Sequence, residues 1–202
     1  MDATKIRLSS EEAALITRSD WILTKNNILI KVKKLLESLQ TAQKELYLPF
    51  FLQDPIFNPQ QPKISRGENY QGLPYLVLDY PRCFNKEDVL AIRTMFWWGK
   101  FFSVTLHLGG KYKSAFSDKL ITKFFSLQSL GFYCCVNADP WEYHFESDNY
   151  VSLQNLDLHR FGSIINENTF TKISAKIPLD KWDQADSMLM EYYRQLLLVI
   201  SQ

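Results

Sequence analysis

Residues 89–108 read VLAIRTMFWWGKFFSVTLHL, two runs rich in Val, Ile, Thr, Phe and Trp that meet at Gly99-Lys100. β-branched and aromatic residues suit a pleated, half-buried surface. A glycine at the first central position of a two-residue loop suits a type II′ turn, whose twist matches paired strands. The stretch therefore reads as a β-hairpin. The expected register pairs Trp98 with Phe101, Phe96 with Ser103, Thr94 with Thr105 and Ile92 with His107 on one mixed face, because side chains alternate along a strand. The other face then carries Ala91, Arg93, Met95, Trp97, Phe102, Val104, Leu106 and Leu108, and is the expected core side with Arg93 as its one charged member.

Outward from the hairpin, Tyr75 to Tyr80 reads as a neighbouring strand with Leu76, Leu78 and Tyr80 inward. Ser114 to Leu130 reads as a helix ended by Gly131, and Phe132 to Val136 as a further strand. In Phe170 to Ile177, Thr171, Ile173, Ala175 and Ile177 alternate with Lys172, Ser174 and Lys176, the pattern of a strand with one buried and one solvated face. Asp180 is placed to cap a last helix whose stripe is Trp182, Ala185, Leu189, Tyr192, Leu196 and Val199. At the other end, Ser9 and Glu12 form a capping-box pair, and Asp20 opens a longer helix. Along that helix Leu29, Val32, Leu35 or Leu36, Leu39, Ala42 and Leu46 recur at helical spacing, with Lys31, Lys33, Lys34, Glu37, Gln40 and Lys44 opposite. The expected fold is α+β, an antiparallel sheet of about four to six strands packed against helices.

Organisation follows from the prolines. Five of the eight fall between Pro49 and Pro74. Residues 1–48 are thus a helical N-terminal segment, 49–74 a Pro-rich strap, and 75–202 the sheet-and-helix core, together one integrated domain. Phe50, Phe51, Phe57 and Tyr70 imply that the strap packs across something, and long loops of this kind often wall a binding site.

Composition narrows the function classes. The 202 residues are 46% hydrophobic and 22% charged, with a net charge of +1, which offers no electrostatic case for nucleic acid. No window approaches the ~18 uninterrupted apolar residues of a membrane span, and the opening MDATKIRLSSEE lacks an apolar signal stretch, so a cytoplasmic location is expected. Cys83, Cys134 and Cys135 lack metal-type spacing and fit a reducing compartment; in a strand, Cys134 and Cys135 face opposite ways. No nucleophile elbow, zinc-protease, P-loop or dinucleotide motif is present, and the sequence names no cofactor.

Three constellations are candidate sites. The mixed hairpin face gathers Thr94, Phe96, Trp98, Phe101, Thr105 and His107, and the Tyr75 strand adds Tyr75 and Asp79. Aromatic walls with a few convergent polar groups suit a small-molecule pocket. Trp141-Glu-Tyr-His-Phe-Glu146, read as a strand, sets Glu142, His144 and Glu146 on one face. These are candidate metal ligands for a hydrolytic or redox enzyme, with His107, Asp139 or His159 as further donors. Arg93, buried, requires an acid such as Asp79, Glu87 or Asp88, or an anionic ligand. Ranked first is a non-catalytic binding or protein-interaction domain that uses the aromatic sheet face; its partner is a protein, a small molecule or a second copy of the chain.

Overall fold

The computed structural model describes residues 7–51 and 60–201, without the side chains of Phe50 and Phe51. Phe57, assigned above to the strap, lies outside the described residues. The helices are α1 (Ser10–Ile16), α2 (Asp20–Phe51), α3 (Gly110–Thr122), α4 (Phe124–Ser129), α5 (Leu158–Glu167) and α6 (Ala185–Ile200). The strands are β1 (Lys63–Tyr70), β2 (Leu73–Phe84), β3 (Val89–Trp97), β4 (Phe101–Gly109), β5 (Tyr133–Cys135), β6 (Tyr150–Ser152) and β7 (Phe170–Pro178). They form one antiparallel sheet in the order β1-β2-β3-β4-β7-β5-β6. The protein is an α+β fold.

The sheet has two differently built faces. On the helical face, Leu76, Leu78, Leu90, Ile92, Phe96, Phe102, Val104, Leu106, Leu108, Ile173, Ala175 and Ile177 join Leu29, Val32, Leu36 and Leu39 of α2 and Leu189, Leu196 and Val199 of α6 in the main core. At about 1.5 Å per residue, the 32-residue α2 is the longest of the described helices. Its first turns and all of α1 bury nothing completely. The Ser9–Glu12 capping box forms as the spacing requires, with Glu12 N donating to Ser9 Oγ at 3.2 Å and Ser9 N to Glu12 Oε2 at 2.7 Å.

The hairpin register differs from the expected one by a single residue. Trp97 pairs with Phe101, Phe96 with Phe102, Thr94 with Val104 and Ile92 with Leu106, so the loop holds three residues, Trp98-Gly99-Lys100. Gly99 takes φ +68°, a conformation that costs glycine nothing. The Trp98 N–H donates to Pro74 O at 3.0 Å, and its ring meets Phe96 at 6.2 Å on the edge of the main core. A one-residue slip flips an entire strand face. Phe96 and Thr94 therefore lie on the helical face, where Thr94 Oγ1 accepts a 3.3 Å hydrogen bond from Gln43 of α2. Arg93, Met95 and Trp97 turn to the other, far face with Phe101, Ser103, Thr105 and His107. The slip was invisible in the pattern because both faces of these strands are rich in apolar residues, so neither alternation is disfavoured locally.

Three further departures shape the far face. Part of the expected strap is β1, an edge strand whose polar run Lys63-Ile-Ser-Arg-Gly-Glu-Asn-Tyr70 carries no clean alternation, since none of its residues is fully buried. The segment Trp141 to Glu146 is not a strand; it is irregular chain between β5 and β6, laid across the far face. Lys172 and Ser174 are fully buried beneath it rather than solvated, while Lys176, on the same face of β7, is exposed. Cys134 and Cys135 do face opposite ways, one in the main core and one in a far-face cluster with Tyr150 and Phe170. The expected helix from Ser114 is interrupted at Lys123 into α3 and α4. Asp180 lies in a short 3-10 turn ahead of α6 instead of capping it.

Candidate functional site

The far face is organised by Tyr70, the last residue of β1. Its ring sits 4.8 Å from Trp97 and edges toward Tyr75 at 6.2 Å and Tyr143 at 6.4 Å. Its hydroxyl accepts from the backbone N–H of Tyr143 at 2.7 Å and of His144 at 3.1 Å, and donates to Glu142 Oε2 at 2.8 Å. One phenol thus ties the 141–144 segment to the sheet. Burial, reinforced by the Glu142 carboxylate, pushes this phenol up to about 12, so it stays a donor at neutral pH.

Arg93 stands in the middle of the sheet, where β3 pairs it with Asp79 of β2. Nε donates to Asp79 Oδ1 at 2.7 Å and Nη2 to Oδ2 at 2.8 Å, a bidentate pair, while Nη1 donates to the Tyr143 hydroxyl at 2.8 Å. Burial opposes the Arg93 charge, but the adjoining Asp79 carboxylate more than offsets it and holds the guanidinium above its ordinary value. Around it, Tyr70, Tyr75, Val77, Met95, Trp141 and Tyr143 complete a cleft of about 210 Å³.

Behind Tyr143 lies a second cation, and this one is fully buried. The Lys172 ammonium donates to the carbonyls of Pro140, at 3.0 Å, and Glu142, and rests 4.6 Å from the Tyr143 ring centroid. Arg93 lies 4.9 Å from the same centroid. Among the described residues no carboxylate forms an ion pair with Lys172. Burial pulls the amine down to about 8, so at pH 7 it remains mostly charged. His107, paired with Lys172 across β4 and β7, is pushed down to about 3 by burial and then by Lys172 and Arg93, and is neutral at pH 7.

Of the residues assigned to the pocket from sequence, Tyr75 lines the cleft and Asp79 fixes Arg93, which also lines it although the expected register put it on the opposite face. Phe101 packs on Trp97 at 5.4 Å, and Thr105 and His107 lie deeper on the same face, Thr105 bonding Ser174 at 2.7 Å. Thr94 and Phe96 are on the opposite face and Trp98 is in the turn, so these three do not contribute; the register slip removed them. Tyr70, Val77, Met95, Trp141 and Tyr143 were not assigned to this pocket. Strand alternation identifies Met95 once the register is right, and it sets Val77 between Tyr75 and Asp79 on their face under either register. Tyr70 and the 141–143 segment arrive through contacts some seventy residues apart, which no local pattern reports.

The expected row Glu142, His144, Glu146 does not form. The irregular chain brings His144 Nε2 to 3.5 Å from Glu142 Oε2 and its Nδ1 to 3.9 Å from Asp148 Oδ1. Among the described residues no three His, Cys, Asp or Glu side chains group as metal ligands. His159 is exposed on α5. Burial holds the Cys134 and Cys135 thiols above their ordinary value, which disfavours the reactive thiolate.

Comparison of the chain with protein-family models, with curated proteins and with solved structures found no match. Among the described residues no helix is long and apolar enough to cross a membrane.

Proposed function

We propose that this protein is a non-catalytic binding module that receives a small molecule in the far-face cleft. The observation that carries the reading is the cleft's make-up: four aromatic rings and two aliphatic side chains around one guanidinium that the sheet holds in place. Concave, mostly apolar sites with a few fixed polar groups are how proteins hold small ligands. A macromolecular partner fits less well. Standard protein interfaces bury ~800 Å² on each partner, whereas the aromatic face here is largely overlaid by its own 141–144 segment. Nor does the cleft assemble an acid, a base and a nucleophile at reacting distance. The reduced, buried Cys83, Cys134 and Cys135 suit the cytoplasm, the proposed location.

Protein-observed NMR with a library of small aromatic and aliphatic fragments tests the reading. The expected result is a set of shifts confined to Tyr70, Tyr75, Val77, Arg93, Met95 and residues 141–143, weakened in Trp141→Ala. Trp141 is 53% exposed, so this variant keeps the fold. Shifts scattered over the helical surface, with none at the cleft, refute it.

A further inference from the structure

Resting on the cleft reading above, we infer that its ligand is a compact aromatic monoanion, a carboxylate carried on one flat ring system, which the cleft's tyrosines and Trp141 enclose while Arg93 holds the carboxylate.

Donor accounting gives the first argument. A guanidinium has five N–H groups. Arg93 commits two to Asp79 and one to Tyr143, which leaves two without a partner among the described residues, on a group that lines the cleft. Those two donors call for an acceptor, and guanidinium pairs best with a carboxylate-like fork of oxygens.

Charge gives the second argument. Arg93 is the one charged residue among those lining the cleft; Asp79 takes one side of its guanidinium, and Lys172, with Glu142 and Asp139 near it, lies behind the Tyr143 ring rather than in the lining. A lining whose one charge is a cation favours an anionic group, and one guanidinium suits one carboxylate, which selects a monoanion.

Size gives the third. A cavity of about 150 Å³ accommodates benzene, so the 210 Å³ here has room for one or two fused rings with a carboxylate.

The test is an NMR titration of the full chain with benzoate and indole-3-carboxylate, each beside its neutral carboxamide, following the Arg93 Nε resonance and the amides of Tyr75 and Tyr143. The carboxylates are expected to bind about tenfold or more tightly than the amides, as charge-assisted hydrogen bonds exceed neutral ones, and to move the Arg93 signal. Trp141→Ala weakens both members of each pair. Equal binding of carboxylate and carboxamide overturns the monoanion while leaving the cleft reading intact. No cleft shift from either member, up to concentrations on the order of 10 mM, overturns both.

Discussion

Replacing Arg93 by methionine tests how the far face is held together. Methionine keeps the bulk of the arginine stem but leaves the Asp79 carboxylate, 5% exposed, without either of its two charge-assisted hydrogen bonds and without access to water. Removing one partner of a buried ion pair costs about 3–5 kcal/mol. For a chain of 202 residues each kcal/mol shifts Tm by about 2–4 °C, so Arg93→Met is expected to melt roughly 6–20 °C below the wild type. Asp79→Leu strands the guanidinium and is expected to cost a similar amount. The double variant Arg93→Met/Asp79→Leu removes both charges and leaves an apolar pair, and is expected to recover to within about 2 kcal/mol of the wild type; the remainder reflects the Tyr143 hydroxyl, which loses a donor. The assay is urea unfolding followed by tryptophan fluorescence and far-ultraviolet circular dichroism, read as a double-mutant cycle. A coupling of about 3 kcal/mol or more is expected. Additive losses in the double variant would refute the reasoning, since they would mean that the two side chains act independently and that the pair does not hold the sheet centre.

Three further outcomes follow from the same geometry. The unfolded chain takes up the His107 proton near pH 6.5 and the folded chain only near 3, so acid favours unfolding; between pH 6 and 4 wild-type stability is expected to fall more steeply than that of His107→Phe, by about 1 kcal/mol per pH unit, and parallel urea-unfolding curves across that window would contradict the buried neutral imidazole. Tyr70→Phe strips the acceptor from the amides of Tyr143 and His144; it is expected to lower stability by about 1–3 kcal/mol and to speed hydrogen exchange at those two amides ahead of β3 and β4, and unchanged exchange there would show that the phenol does not anchor the segment. A Cβ at Gly67 would stand 2.3–2.5 Å from the tip of the Tyr75 ring, so Gly67→Ala is expected to cost little stability, since only the ring's far end must move, yet to shift the Tyr75 ring resonances and weaken fragment binding in the cleft; unperturbed Tyr75 signals would contradict this contact.

How much of this was legible beforehand can be argued from particular residues. The Ser9–Glu12 box was readable because capping is local: both partners lie within one turn, and their chemistry alone sets the geometry. The stripe Leu29, Val32, Leu36, Leu39 was readable for the same reason, since a helix has one period and a single apolar side. The pairing of Arg93 with Asp79 was among the acids offered, because neighbouring strands bring such residues opposite one another. The pocket was legible only in part. Phe96, Thr94 and Trp98 enter it only through a hairpin turn one residue too short, which also places Arg93 and Met95 on the wrong face; Val77 shares the face of Tyr75 and Asp79 under either register.

The sequence by itself determined the α+β class, the helices' buried sides and the existence of the hairpin, all of which rest on periodicity within a dozen residues. Tertiary structure decided the rest. Lys172 and Lys176 occupy equivalent places in the same alternation on β7 and carry the same charge, yet one is sealed under the 141–144 segment and the other is in water. The difference is imposed by Tyr70, some hundred residues earlier, and by the Pro140 and Glu142 carbonyls, some thirty residues earlier. Burial of a charge depends on what crosses above it, and no local pattern encodes what crosses above. The far-face cleft exists for that reason, and the same packing chose between two hairpin registers that were equally apolar on paper.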